Sequence, residues 1–110
     1  MAMDRPAKPI LSSRADDPDA ELRIESFVIG LGEVVDRCQD LEAQSDYQGL
    51  LETSEKLSNE ARELGYEPLA DCVDRMAASC QERNPEALYK AVADLTQMAQ
   101  RVRRGHRTCA

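Results

Sequence analysis

The chain lacks much of what common function classes require. Among 110 residues it has no tryptophan, one phenylalanine and three tyrosines, so aliphatic side chains must build its core. Few aromatic and β-branched residues beside abundant Leu, Ala, Glu, Gln and Arg point to helices rather than sheet. The single histidine, His106, lies near the C-terminus. The helical body therefore has no imidazole, which excludes Ser-His and Cys-His nucleophilic pairs and a Glu-x-x-His di-iron site, and no enzymatic activity is expected. The four cysteines form no Cys-x-x-Cys pair, so neither a zinc site nor another cofactor is expected. Cys72 and Cys80 fall eight residues apart in one predicted helix. That is about 12 Å along its axis, too far for a disulfide, and the thiols read as small core or boundary residues. Free thiols without a signal-peptide pattern fit a reducing cytoplasm. No apolar run approaches the roughly 18–20 residues that span a bilayer, so no membrane partner is expected.

What is present is mostly charge. The net charge is −7, unevenly placed: residues 21–100 hold 7 basic and 17 acidic residues, whereas Arg101, Arg103, Arg104 and Arg107 crowd the last ten without an acid. An acidic body argues against nucleic acid as the partner, since binding to phosphates needs a positive surface. The terminal arginines suit the dipole at a helix C-terminus; a docking tail for an acidic partner is the alternative.

A length of 110 residues is one domain. Residues 1–16, with Pro6 and Pro9, read as an extended N-terminal segment from which Ile10 and Leu11 can pack on the body. Residues 17–104 read as a helical bundle and 105–110 as a basic tail. Asp17-Pro18-Asp19 has the form of an N-cap, a first-position proline and a first-turn acid. An apolar face follows at Leu22, Ile24, Phe27, Val28 and Leu31, interrupted by Gly30 and Gly32, where a kink or break is expected. Val34, Val35, Cys38 and Leu41 carry a second segment to about Gln44. Ser45 and Gln48 have capping-box spacing, with Asp46 as the competing N-cap. Tyr47, Leu50, Leu51, Ser54, Leu57, Ala61 and Leu64 then recur at helical spacing, and Gly65 is suited to the left-handed residue that closes a helix. Leu69, Cys72, Val73, Met76 and Cys80 mark the next inner face after Pro68. Asn84-Pro85 opens a last helix with Leu88, Val92, Leu95, Met98, Ala99 and Val102, expected to stop at Gly105. Connections of two to four residues make successive helices antiparallel neighbours. The expected fold is all-α: an up-down-up-down antiparallel four-helix bundle with a short additional N-terminal helix, the segment 17–29 covering one end or extending the first long helix. Leu50, Leu57, Ala61, Leu64, Leu69, Val73, Met76, Val92 and Leu95 are its expected core.

One helix carries a recognisable pattern. From Glu55 the chain reads Glu55-Lys56-Leu57-Ser58-Asn59-Glu60-Ala61-Arg62-Glu63-Leu64-Gly65. This resembles the H-x-L-K-G-x-A-x-x-L-G pattern of histidine phosphotransfer domains in bacterial two-component relays. It matches at Leu57, Ala61, Leu64 and Gly65, the positions that pack or cap. It departs at the chemical positions, where Glu55 stands for the phosphoacceptor histidine, Ser58 for the lysine and Asn59 for the glycine. The resemblance extends over residues 10–104, including Ile10 through Asp19 and Glu25-Ser26-Phe27-Val28.

The resemblance implies a phosphotransfer-like domain that binds a receiver domain or a histidine kinase without relaying phosphate. A carboxylate at Glu55 would have to form its acyl phosphate against another anion without the metal site a receiver provides. Ser58 brings no charge to neutralise a phosphoryl group, and Asn59 adds bulk where a receiver approaches. Glu52, Glu55, Asn59 and Glu63, spaced three or four apart, share one face. With Ser58 and Arg62 they are the candidate partner-binding residues, and a solvated acidic surface is the plainer reading of that face. A single carboxylate charge is a poor mimic of phosphohistidine. A structural or self-associating bundle is the competing expectation.

Overall fold

The structure, a computed structural model, describes residues 9–109, with side chains to residue 106. Four helices fill it: α1, Glu21–Ala43; α2, Tyr47–Glu63; α3, Glu67–Glu82; and α4, Pro85–Cys109. No strand occurs among the described residues. Each helix packs on two others in a closed ring, α1 on α2, α2 on α3, α3 on α4 and α4 on α1. The nine expected core residues are all buried, and Ile24, Phe27, Val28, Leu31, Val35 and Cys38 line the inner face of α1. The Phe27 ring stacks on Tyr66 at 5.7 Å between centroids. Leu22 departs from the expected face and is 75% exposed, because the buried stripe of α1 runs through Ile24 instead.

The helix junctions share one chemistry. At the end of α2 the Tyr66 N–H donates to the Ala61 carbonyl and the Gly65 N–H to the Arg62 carbonyl, with Gly65 at φ +83°. This paired closure satisfies two carbonyls that the helix leaves unbonded. The same pair of bonds closes α1 through Ser45 and Asp46, and α3 through Arg83 and Asn84. Ser45 and Arg83 take the left-handed conformation without being glycine, at φ 56° and 52°. Asp46 wins the competition to cap α2, accepting from the Gly49 N–H at 2.9 Å. Asn84 Oδ1 accepts from the Ala87 N–H at 3.2 Å and caps α4.

Three expectations about boundaries are corrected. First, α1 runs unbroken through Gly30 and Gly32, so residues 21–29 are its first turns and not an additional N-terminal helix. Two glycines cost about 1 kcal/mol each, whereas burying each of five large apolar side chains on one face of α1 returns about 1.5–3 kcal/mol. Second, Asp17-Pro18-Asp19 forms a turn ahead of α1, whose N-cap is Ala20. The Asp17 carboxylate accepts from Asp19 N–H and from Arg14, and its carbonyl takes the Ala20 N–H in a four-residue turn. Third, α4 does not stop at Gly105 but continues to Cys109. Residues 105–109 therefore belong to α4, while the Arg107 side chain lies outside the described residues.

The candidate docking face on α2

Helix α2 places the motif residues by rotation alone. Leu50, Ser54, Leu57, Ser58 and Ala61 turn inward, and Glu52, Glu55, Asn59 and Glu63 turn to solvent. The four exposed residues share one broad face, as their spacing predicts. Glu55 and Asn59 border a shallow groove between α2 and α3 whose other walls are Ser54, Ser58, Arg62, Asp74 and Ala77. Glu52 accepts from Gln48 at 3.2 Å. Glu63 leans the other way, toward α1, and pairs with Arg23 at 2.9 Å.

Ser58 does not belong to the exposed face. Only 6% exposed, it lies at the α2–α3 seam, where its hydroxyl donates to Asp74 Oδ1 at 2.7 Å and accepts from Arg62 Nη1 at 2.9 Å. Its position three residues after Glu55 turns it about 300° around the helix, toward α3. Arg62 then binds a row of acids on α3: Asp74 at 2.9 Å, Asp71 at 3.2 Å and Glu67 at 3.4 Å. The Ser58 hydrogen bond, followed by the Arg62 guanidinium, holds the Asp74 carboxyl below the usual carboxylate range. The Asp74 bond, reinforced by Glu67 and Asp71, raises the Arg62 pKa in turn. One guanidinium thus serves three carboxylates, and the groove keeps an acidic balance beside Glu55.

Asp71 and Asp74 belong to this site, although the motif does not include them. Their spacing of three on an acidic helix start was visible, but their pairing with Arg62 depends on the α2–α3 turn. His106 lies away from the α2–α3 groove. It is half-buried on α4, beside a small cavity walled by Leu11, Ser12, Glu21, Ile24 and Tyr66. Cys38, Cys72 and Cys80 are buried free thiols; burial pushes Cys38 up to about 11 and raises the other two. Among the described residues no cluster of three metal-ligating side chains forms, and no helix is long and apolar enough to cross a membrane.

No protein-family model, curated protein or solved structure matches the chain.

Proposed function

We propose that the chain is a phosphotransfer-like domain that docks a two-component signalling partner, a receiver domain or a histidine kinase, and passes no phosphate. The observation that carries this reading is the division within α2. Leu57, Ala61 and Leu64, the pattern's packing residues, are buried and Gly65 is left-handed, while Glu55 stands exposed where the acceptor histidine would be. A bacterial, cytoplasmic setting belongs to the same proposal. So does an up-down-up-down course, supported by pairs whose numbers rise on one helix as they fall on its neighbour. Arg23 meets Glu63 across α1–α2, where Leu41 also approaches Gly49. Ser58 meets Asp74 and Arg62 meets Asp71 across α2–α3. Gln39 meets Thr96 across α1–α4, where Gly32 also faces Arg103.

Glu55 offers no usable acceptor, because a phosphoryl group arriving there meets Glu55 and Asp74 while Arg62 is shared among three acids. The test is incubation of the chain with phosphorylated receiver domains, alongside capture of the same receivers. Binding without transfer is the expected result; acid-labile phosphate on the chain, located by a His106→Ala control, would refute it. Glu55→His alone is expected to give little transfer. The triple change Glu55→His, Ser58→Lys, Asn59→Gly is the variant expected to recover it, although the introduced lysine must compete with Arg62 for Asp74.

A self-associating bundle has one observation in its favour. Leu22 and Ile29, seven residues apart and so on one side of α1, are 75% and 73% exposed. Sedimentation across a concentration series decides it: a dimer that Leu22→Glu dissolves would favour this second reading.

A further inference from the structure

The residues ahead of α1 bind two helix ends that lie far apart in the sequence. At one anchor the Ile10 N–H donates to the Arg101 carbonyl of α4 at 3.0 Å. At the other, three consecutive residues take three consecutive carbonyls at the end of α2. The Ser12 hydroxyl donates to the Leu64 carbonyl, the Ser13 N–H to the Gly65 carbonyl at 2.9 Å, and Arg14 Nη1 to the Glu63 carbonyl at 2.7 Å. Glu63 and Leu64 are among the carbonyls a helix end leaves unbonded, so the segment completes α2 from outside. Its own geometry is held as well. The Arg14 N–H donates to Ser12 Oγ at 2.9 Å, and the Arg14 guanidinium is held by Asp17 at 2.8 Å.

Two glycines are fitted to this segment. Gly65 already needs its positive φ, and a Cβ there would also crowd Ser12 Oγ, Ser13 Oγ and the Arg14 nitrogen, all within 2.9 Å. Gly105 is the more informative, because it sits inside α4 where the helix itself gives no reason for glycine. A Cβ at Gly105 would lie 2.2 Å from the Ile10 carbonyl oxygen and 2.9 Å from its carbonyl carbon. Both are backbone atoms of the segment, which cannot be turned aside as a side-chain tip can. The glycine that looked like a stop signal is the place where the chain's start lies against its end.

We infer that residues 10–17 form a clasp, a single element that ties the last turn of α2 to the last turns of α4 and opens or closes as a unit. Only two residues separate the Ile10 anchor from Ser13, too short a leash for one anchor to leave while the other keeps its geometry. The closed clasp fixes the α2 turn that carries Glu63 and covers Ile24 and Tyr66. Opening it frees the Glu63–Gly65 carbonyls and removes one wall of the cavity beside His106. This device does not depend on what α2 meets.

Amide hydrogen exchange on the full chain tests the clasp. In the wild type the Ile10 and Ser13 amides are expected to be protected, with equal opening constants and equal sensitivity to low denaturant. Gly105→Ala acts at one anchor and Ser12→Ala at the other. Each is expected to lower protection of both amides together, by tenfold or more, while the Leu57 amide inside α2 keeps its protection. The inference is overturned if each substitution loosens only its own anchor, or if both amides exchange freely in the wild type. It is also overturned if the two wild-type amides open with different denaturant sensitivities, a measurement that stands even where a variant fails to fold.

Discussion

Position 58 shows how one small side chain sets the local chemistry. Ser58 is short enough to sit in the α2–α3 seam and still link Asp74 to Arg62, so its buried hydroxyl is partnered on both sides. Asp74 is partly exposed and titrates below its unfolded value, so the interaction favours the folded state when the carboxyl is ionised. The linkage sign follows: its contribution is complete above the unfolded carboxylate pKa of about 3.9 and is lost as pH falls through the lower folded value. Asp74→Asn is therefore expected to flatten the acid limb of the stability curve, measured by denaturant melts between about pH 2 and 5. An unchanged acid limb would remove Asp74 from the account. Leu57, one residue before Ser58, is 3% exposed and carries packing alone. Leu57→Ala is expected to cost about 2–5 kcal/mol in the same melts.

Among the elements, α1 departs furthest from its local signals. Its two central glycines oppose helix, yet one helix spans all 23 residues. The inner face explains this, since a break would pull either the Ile24–Leu31 half or the Val35–Cys38 half off the core. At Gly30 a Cβ would meet nothing within 4 Å. Gly30→Ala is accordingly expected to stabilise the chain by about 0.5–1 kcal/mol, read as a rise in the denaturation midpoint at constant slope. Gly105 contrasts with it, because a Cβ there would lie 2.2 Å from the Ile10 carbonyl oxygen, a backbone atom. Identical residues thus have different reasons, and only their surroundings separate a tolerated glycine from a required one.

On the scale of the whole molecule, the placement of charge bears on the proposed docking. The exposed face of α2 is acidic, and Arg62 beside it is shared among three carboxylates. A partner that docks there must bring a basic surface, and its association should slow as salt screens exposed charges over about 8–10 Å. Replacing Glu52 and Glu63 with Lys is expected to slow association while leaving the melting midpoint nearly unchanged, since the Arg23–Glu63 pair is exposed and such pairs contribute about 0–1 kcal/mol. Association rates that ignore both substitutions would remove this face as the docking surface.

Residue type and periodicity determined the helical class, the inner faces of α2, α3 and α4 and the caps at Gly65 and Asn84. These depend on contacts within one turn of the chain, where residue type and spacing act directly. The burial of Leu57, Ala61 and Leu64 opposite an exposed Glu55 was legible for the same reason. Tertiary structure decided the rest. It carried α1 through Gly30 because the core outweighs the local cost of glycine. It brought Asp74 to Ser58 across the α2–α3 seam, and it set the Ile10 backbone against Gly105. Each of those outcomes joins residues from separate elements, and no local spacing encodes the distance between them.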